Sequence, residues 1–557
     1  MSTIAPQARL RAEVNSLADI AGSIDFALST EQRDDRIRRR VHLLGILHRY
    51  LEPRLAEPRH PVVVAVFGPT GSGKSTLVNT LVGRPISETG VIRPTTRRAV
   101  VWVHQRDADD IGALLGQTGP VDVVADDHPV LASLAIVDTP DIDSIAEEHR
   151  RQTEAILETA DVAIAVTTPQ RYADAVPWDV LAGLTERALD VVVVMNRTTR
   201  RAGGAVIDLA GLLRDARVGG VDSADDIIVI QEQRIRADGR LHGYALRHLA
   251  RRLEAIASDH DRVTFRGIVA AAHHAVDVGR ELASEVDAQA SEGAGLLAVV
   301  DEAEDEQRRE VNRRLDHGEL VRGEVLARWQ RMVGVSELAE LVGRGVAKLR
   351  DVLLGRQALS PERIAGLEDE VRSELSELGL QRARVAAQTV DVSWGLTTAG
   401  TGLLSRVDVD WERIRDDLDD SMAAWQSEVV ALVAETGAGR WRVARAVTVG
   451  INAAATVLLL GVFAATGGIT GTEFGVAAGA AAAQQTVLEK LFGSAAARRL
   501  ADTAQSLLAD RLGQAVAAAV TPYRQTLAAV LDDPDTASEL RAGCDALAQA
   551  IEDYADE

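Results

Sequence analysis

Residues 62–82 read VVVAVFGPTGSGKSTLVNTLV, and this stretch decides the fold. The run of apolar, mostly β-branched residues at 62–67 predicts a buried strand, and the amphipathic pattern from Lys74 onward predicts a helix. Between them, GPTGSGKST satisfies the spacing G-x-x-x-x-G-K-[ST] of a phosphate-binding loop. The sequence therefore predicts a strand, a phosphate loop and a helix in the order that a nucleotide-binding domain requires.

The residues of this loop have separate predicted roles. Its glycines let the backbone turn so that successive N–H groups point at phosphate oxygens. Lys74 is expected to reach the β- and γ-phosphates, and the Ser75 hydroxyl is the expected Mg²⁺ ligand. The loop residues predicted to bind nucleotide are Gly68, Thr70, Gly71, Ser72, Gly73, Lys74, Ser75 and Thr76.

Lysine is rare in this chain. Among 61 lysines and arginines, only Lys74, Lys348 and Lys490 are lysine. A compact ammonium fits between phosphates in a tight loop where a planar guanidinium does not. The lysine inside the loop therefore favours a nucleotide site over the alternative, a chance glycine-rich turn before a helix.

Length and charge narrow the class of protein. At 557 residues, with 46% hydrophobic and 26% charged residues, the chain is expected to form two to four globular domains. A net charge of −22 argues against nucleic acid as the main partner, because phosphate backbones bind clustered Lys and Arg. Cys544 is the single cysteine, so no intramolecular disulfide can form, which fits a reducing cytosolic compartment.

The distribution of proline divides the chain. Twelve of the 15 prolines lie at or before Pro177, and only Pro361, Pro522 and Pro534 follow. Because helix interiors disfavour proline, the last two-thirds of the chain are expected to be mostly long helices. Apolar residues recur there at helical spacing, as in the stripe Trp411, Ile414, Leu418, Met422, Trp425 and Val429.

The region around the loop alternates strands with helices, which predicts a mostly parallel sheet covered on both faces. Two amphipathic helices are expected before the first strand. The later predicted strands are Ala99–His104, Ala132–Val137, Asp161–Val166, Val191–Met195 and Ile227–Ile230, and the predicted crossover helices are Ala146–Ala160 and Val180–Ala188. Loops at the carboxyl ends of these strands are expected to form the site.

Two further segments carry candidate metal ligands. In DTPD at 138–141, Asp138 directly follows an apolar strand, where a carboxylate can hold the Mg²⁺ shell through water. In RPTTRR at 93–98, a threonine can close over Mg²⁺; we expect Thr96 to do so, with Thr95 in reserve. An ordinary strand-end turn and a solvated loop are the alternatives. The predicted metal ligands are Ser75, Thr96 and Asp138, and the predicted catalytic set is Lys74, Thr96 and Asp138.

GPTGSGKST, TTRR and DTPD, in that order and on those strands, resemble the motifs of the small-GTPase-type G domain. The large helical remainder makes the chain similar to bacterial dynamin-like proteins. The motifs cover residues 60–200, and the helical part is similar only in architecture. The resemblance implies an α/β G domain of the P-loop NTPase class joined to a large all-α stalk or bundle. It also implies a GTPase that uses GTP as substrate and Mg²⁺ as cofactor.

The base-reading and γ-phosphate-sensing segments depart from the family pattern. Asp141 stands where such GTPases carry the glycine of D-x-x-G, whose N–H meets the γ-phosphate. The segment 196–199 reads NRTT and lacks the aspartate of [NT]-K-x-D, so the preference for GTP over ATP follows from resemblance alone. Asn196 and Arg197 are the residues expected at the base; alternatively, Asn196 ties down the phosphate loop.

The groups that position catalytic water also depart from the pattern. Gly71 stands where dynamins place a serine that helps to position a monovalent cation, and Ile142 rather than glutamine follows DTPD. The attacking water must then be positioned by other groups, such as backbone atoms or a dimer partner.

An apolar segment interrupts the helical remainder. Between Arg445 and Glu473 lie 27 residues without charge, which as a helix exceed a hydrocarbon core of about 30 Å. A second uncharged stretch, 474–488, follows, and basic residues flank both ends, which places those ends on the cytoplasmic face. We expect a hairpin over 446–488 that dips into or crosses the cell membrane from its cytoplasmic side. A buried hairpin inside a soluble bundle is the alternative.

These features predict five segments: N-terminal helices joining the bundle (1–58), a P-loop G domain (59–260), a helical stalk (261–439), an apolar membrane-inserting hairpin (440–495) and C-terminal helices returning to the bundle (496–557). The expected function is that of a dynamin-like GTPase that couples nucleotide-dependent dimerisation to membrane binding or remodelling. The expected partners are a lipid bilayer, further copies of the chain bound through the G domain, and a paralogous dynamin-like protein.

Two other functions stay open at this point. One is a nucleotide-gated membrane scaffold with little turnover, which Asp141 and Thr199 favour. The other is an accessory ATPase of a transport system.

Overall fold

The computed structural model describes residues 5–57, 60–87, 98–142, 147–186, 189–199, 202–219, 221–317, 361–437 and 494–556. The chain divides into two compact units. The first comprises Met1–Phe26, Gln32–Ala288 and Asp532–Glu557, and the second comprises Ala27–Glu31 and Gln289–Leu531. The boundaries of the five predicted segments stay a prediction.

The first unit contains a seven-stranded sheet with the order β3-β2-β4-β1-β5-β6-β7. Its strands are β1 (Val62–Phe67), β2 (Ala99–His104), β3 (Val121–Asp126), β4 (Leu134–Asp138), β5 (Val162–Thr167), β6 (Asp190–Thr198) and β7 (Ile228–Gln231). The neighbours β4, β1, β5, β6 and β7 are parallel, whereas β2 is antiparallel to β4 and parallel to β3. The predicted mostly parallel α/β sheet is confirmed.

The sequence pattern did not predict β3. Among the described strands it lies at the edge of the sheet, where it pairs with β2, and each of its residues is half-buried or exposed. Asp122 and Asp126 interrupt its apolar run. The central strand β1, by contrast, is buried at every residue, as expected for a parallel strand covered on both faces.

The described helices, in chain order, are α1 (Pro6–Ser23), α2 (Arg33–Gly45), α3 (Glu52–Ala56), α4 (Lys74–Val82), α5 (Ala108–Gly116), α6 (Glu147–Thr159), α7 (Ala175–Glu186), α8 (Gly203–Asp215), α9 (Arg247–Ser258), α10 (His260–His317), α11 (Pro361–Gly395), α12 (Thr398–Leu404), α13 (Trp411–Gly437), α14 (Ser494–Ala528) and α15 (Thr536–Ala555). A π-helical turn, Ile46–Leu51, separates α2 from α3. The two helices predicted before the first strand are confirmed.

Three apolar clusters form the interior of the first unit. Two of them lie on the two faces of the sheet. The third is formed by α1, α2, the π-helical turn, the first part of α10 and α15, and its fully buried members include Leu10, Val14 and Leu17 of α1. The first and last helices of the chain therefore share one core.

A buried ion pair anchors α3 to the beginning of β5. Arg54 donates from Nε and Nη2 to the two carboxylate oxygens of Asp161, both at 2.7 Å, and each side chain is at most 1% exposed. The same carboxylate accepts from Tyr50 Oη at 2.8 Å and from the backbone N–H of Val63 at 2.7 Å. Burial acts to raise the pKa of Asp161, but the Arg54 charge and these hydrogen bonds outweigh it and hold that pKa below its ordinary value.

The second unit is helical in the residues that the structure describes. On α13, the predicted stripe buries Ile414, Leu418, Met422, Trp425 and Val429 in a core shared with α11 and α14. The indole N–H of Trp425 donates to the backbone carbonyl of Ala504 at 2.9 Å, which satisfies its one polar atom. The prediction of long helices is confirmed in these ranges.

One proline departs from the general rule that helix interiors disfavour proline. Pro522 lies inside α14, although a proline cannot donate to the carbonyl one turn earlier. Pro361, in contrast, is the first residue of α11, where the missing N–H costs little.

The predicted apolar hairpin at 446–488 lies outside the described residues. None of the helices that the structure does describe combines the length and apolar content that crossing a membrane requires.

The buried ion pair predicts a specific loss of stability. Arg54→Ala leaves the Asp161 carboxylate buried without its cation and is expected to lower the free energy of unfolding by about 3–5 kcal/mol. Equilibrium urea unfolding measures this change. Arg38→Ala, which removes an exposed partner of Asp35, is the matched control and should leave the midpoint unchanged. Equal midpoints for wild type and Arg54→Ala would contradict the role given to this pair.

Candidate functional site

The phosphate loop lies between β1 and α4, as predicted, and its glycines have backbone angles that other residues avoid. Gly68, Gly71 and Gly73 have φ values of 149°, 77° and 97°. A Cβ atom added at Gly68 would lie 2.1 Å from the carbonyl oxygen of Val166, so the loop passes too close to β5 for any side chain.

Asn196 fixes the other side of the loop. Its Nδ2 donates to the carbonyl oxygen of Ser72 at 2.8 Å, and the side chain is buried. Its Oδ1 accepts from the N–H of Arg197 at 2.9 Å, and Arg197, itself exposed, has a φ of 54°. Of the two roles considered for Asn196, contact with the phosphate loop is the one observed. A role for Asn196 or Arg197 at a base stays a prediction.

Lys74 is the first residue of α4 and is buried. Its Nζ donates to the carbonyl oxygen of Gly68 at 2.9 Å and to Asp141 Oδ1 at 2.6 Å, with a longer contact of 3.5 Å to the carbonyl oxygen of Pro69. The side chains of Lys74 and Asp141 are 3% and 6% exposed. The sequence marked Asp141 only as a departure from the family pattern. The structure makes it the ionic partner of the loop lysine.

Asp138 ends β4 with a carboxylate that is fully buried. Within the described ranges, neither of its oxygens has a hydrogen-bond partner. Burial raises the pKa of Asp138, and the nearby Ser75 hydroxyl, the Lys74 ammonium and the Ser87 hydroxyl oppose that rise in part. A buried carboxylate without hydrogen-bond partners costs free energy, because it has lost its hydrogen bonds to water. Buried polar atoms in proteins are therefore normally hydrogen-bonded.

Other buried oxygen atoms around the loop share this property. Those without a described partner are Ser72 Oγ, Ser87 Oγ, Asp141 Oδ2 and Thr167 Oγ1. Such a group of oxygens at the carboxyl ends of parallel strands is typical of a site that receives a polar ligand.

The donor set fits Mg²⁺. The unbonded oxygens of Asp138 and the neighbouring hydroxyl of Ser75 are hard oxygen ligands of the kind that Mg²⁺ prefers, and Mg²⁺ in phosphate sites needs few protein ligands. The third predicted ligand, Thr96, and its reserve Thr95 lie outside the described residues. In the antiparallel pairing of β2 with β4, Val100 lies opposite Asp138, so β2 begins at the edge where the site lies.

Arg171 is a residue of this site that the sequence reasoning missed. It follows β5 and donates from Nη1 to the carbonyl oxygen of Thr70 and from Nε to Asp174 Oδ2, both at 2.7 Å. A guanidinium held at the rim of a phosphate loop can stabilise negative charge on a phosphate. Its position just beyond the carboxyl end of a central parallel strand is the sequence signal that could have indicated it.

Comparisons with known proteins agree with this geometry. Residues 63–197 match the family model described as 50S ribosome-binding GTPase. A probable transmembrane FZO-like GTPase from chloroplasts of Arabidopsis thaliana is 31% identical over 113 residues, which are 20% of this chain. The chain covers only 12%, about an eighth, of the length of that relative.

The solved structures that match this chain include a variant of Aquifex aeolicus Era bound to GDP and AlF4⁻. It is 19% identical over 35% of this chain and 56% of that chain, with a TM-score of 0.24. They also include two structures of an oligomerised bacterial dynamin pair described as sensing and tethering membranes. These are 11% and 12% identical, cover 72% and 70% of this chain and 76% and 75% of those chains, and have TM-scores of 0.26 and 0.28.

The resemblance inferred from the motifs is thereby confirmed for the G domain, and bacterial dynamins are among the similar structures. Residues 63–197 of this chain form a GTPase G domain, similar to the family described as 50S ribosome-binding GTPase.

Proposed function

We propose that this protein is a dynamin-like GTPase that hydrolyses GTP with Mg²⁺ and couples nucleotide-dependent self-association to membrane binding or remodelling. The observation that carries the proposal is the glycine-rich loop with its buried lysine beside the unbonded carboxylate of Asp138. The match of residues 63–197 to a GTPase family supports the choice of nucleotide.

Each part of the site has an assigned task. The N–H groups of the loop and the amino end of α4 bind phosphate oxygens, and Lys74 neutralises part of their charge. Ser75, Thr96 and, through water, Asp138 would hold Mg²⁺, which neutralises charge on the β- and γ-phosphates when bound. Asn196 keeps the loop in the conformation that these contacts require.

The site needs an additional group for rapid turnover. The residue after DTPD is Ile142, which is 1% exposed and has no group that could orient water. A second copy of the chain, docked across the nucleotide face, would supply that group, and groups supplied in this way raise phosphoryl-transfer rates by roughly 10³–10⁵. Arg171, already at the rim of the loop, is a candidate for charge stabilisation within one chain.

Membrane contact is the second half of the proposal. The uncharged residues on either side of Glu473, with basic residues beyond them, support insertion over 446–488 from the cytoplasmic side of the cell membrane. The matched Arabidopsis relative is named a probable transmembrane GTPase. A lipid bilayer, further copies of this chain and a paralogous dynamin-like protein are the proposed partners.

A second candidate function has a specific observation in its favour. Because Lys74 is ion-paired to Asp141 inside the loop, the protein could bind nucleotide and turn it over slowly, acting as a nucleotide-gated membrane scaffold.

Removing the loop lysine should abolish nucleotide binding. Lys74→Ala deletes the ammonium that binds the phosphates, and we expect the affinity for GTP and GDP to fall by at least about a hundredfold. Isothermal titration calorimetry measures this change, and circular dichroism checks that the variant is folded. Lys348→Ala, the same substitution outside residues 63–197, is the control. Wild-type affinity in Lys74→Ala would refute the assignment of the loop.

Turnover should depend on protein concentration. If a second copy completes the site, the GTP hydrolysed per mole of protein will rise with protein concentration and rise further with liposomes. A phosphate-release assay with GTP and ATP in parallel measures this and shows which base is preferred. A rate per molecule that stays constant and low, with GTP bound, would favour the scaffold function.

Deleting residues 446–488 should remove membrane binding. We expect the full chain to float with liposomes and the deleted chain to stay at the bottom of the gradient, because the deletion removes the long uncharged segment. Lys348→Ala, which keeps both the segment and the loop lysine, serves as the control and should still float. Equal flotation of the full and deleted chains would exclude this segment as the membrane contact.

A further inference from the structure

The hydrogen-bonding capacity of Lys74 is already used within the protein. An ammonium has three hydrogens to donate, and three oxygens lie within 3.5 Å of Nζ: those of Gly68, Pro69 and Asp141. The carboxylate of Asp141 is the charged acceptor and lies closest, at 2.6 Å. A phosphate oxygen can bind Lys74 fully only if one of these acceptors withdraws.

The segment that carries Asp141 is itself held in place. Thr139 donates from its backbone N–H and its hydroxyl to the carbonyl oxygen of Val66, at 3.2 and 3.0 Å. The hydroxyl of Thr153 on α6 donates to the carbonyl oxygen of Pro140 at 3.1 Å. The backbone that carries Asp141 is therefore fixed to β1 on one side and to α6 on the other, and this holds the carboxylate next to Lys74.

The second carboxylate oxygen of Asp141 makes this carboxylate more dependent on Lys74. Asp141 Oδ2 is buried and has no hydrogen-bond partner among the described residues. Among the described residues, the negative charge of Asp141 is therefore stabilised by one side-chain hydrogen bond, which Lys74 Nζ donates to Oδ1. An anion that takes Lys74 from Asp141 leaves a buried carboxylate unpaired beside it, and like charges in a buried site repel strongly.

We propose that Asp141 is an internal competitor of the terminal phosphate and makes the site selective for diphosphate over triphosphate until its carboxylate leaves Lys74. The inference rests on the proposed function, in which Lys74 binds the β- and γ-phosphates. Repulsion from Asp141 increases with the charge placed near it, so it acts most strongly on the γ-phosphate. The diphosphate places no γ-phosphate beside Asp141, so its β-phosphate can replace the weak 3.5 Å contact of Lys74 with the carbonyl oxygen of Pro69 while the ion pair stays formed.

Two states follow from this competition. In one, Lys74 binds Asp141, and in the other Lys74 binds the terminal phosphate. The apparent dissociation constant of the triphosphate equals its intrinsic value divided by the fraction of molecules in which Lys74 is available. If the ion pair is formed in about 90–99% of molecules, the triphosphate binds about tenfold to a hundredfold more weakly than it would without Asp141.

The test is the ratio of two affinities in the full-length protein. Dissociation constants for GDP and for a non-hydrolysable GTP analogue are measured with Mg²⁺ by isothermal titration calorimetry. Wild type is expected to bind GDP more tightly than the analogue. Asp141→Asn and Asp141→Gly are expected to tighten the analogue by about tenfold to a hundredfold and to change GDP binding by less than about threefold.

Two further variants separate competition from other effects. Asp141→Glu keeps the charge and should keep the wild-type preference for GDP. Asp122→Asn removes an exposed carboxylate of β3 that pairs with Arg98, the residue before β2. It therefore reports the effect of net charge alone and should leave both affinities unchanged.

Each outcome is decisive. Equal tightening of GDP and the analogue in Asp141→Asn and Asp141→Gly, or no change in either, overturns the competition while leaving nucleotide binding in place. Wild type that binds the analogue as tightly as GDP also overturns it, and this measurement needs no variant to fold. Absence of binding of either nucleotide to wild type overturns the proposed function as well.

Discussion

A buried ammonium must have an acceptor at all times, and this constraint organises the site. Taking the Lys74 charge out of water costs several kcal/mol unless it is paired and hydrogen-bonded. The loop supplies carbonyl oxygens, and the segment after β4 supplies the carboxylate of Asp141 at 2.6 Å. Strand β1, the loop and the DTPD segment are therefore coupled through one cation. A ligand that binds Lys74 therefore changes the contacts that hold β1, the loop and the DTPD segment together.

The sequence predicted the parts of the site that depend on local chemistry. Loop spacing, glycine positions and the carboxylate at the end of β4 follow from short segments with strong physical requirements, and β2 begins and ends where its pattern indicates. The contact between Lys74 and Asp141 joins residues far apart in sequence, so no local pattern encodes it. The same holds for Arg171, whose importance arises only once β5 brings it to the carbonyl oxygen of Thr70.

Outside the site, the hydrophobic periodicity of the sequence predicted whether a segment is a helix better than it predicted which elements pack against that helix. The stripe on α13 is buried as its spacing indicates, because a 3.6-residue repeat reports one apolar face. That repeat does not indicate which helix covers the face. The core shared by α1 and α15 is an example, because these two helices are far apart in the sequence. Strand β3 was missed since an edge strand buries little and its aspartates resemble a loop.

The carboxylate of Asp161 restricts how β1 can move when a ligand binds the phosphate loop. It accepts a hydrogen bond from the N–H of Val63 near the amino end of β1, and four residues of strand, 64–67, separate Val63 from the phosphate loop, a span of about 17 Å from Val63 to Gly68. Sliding of β1 along its own axis would break a hydrogen bond inside a buried ionic network. Such sliding is therefore costly, and in the proposed competition the group that moves is the side chain of Asp141, because its backbone is fixed to β1 and α6.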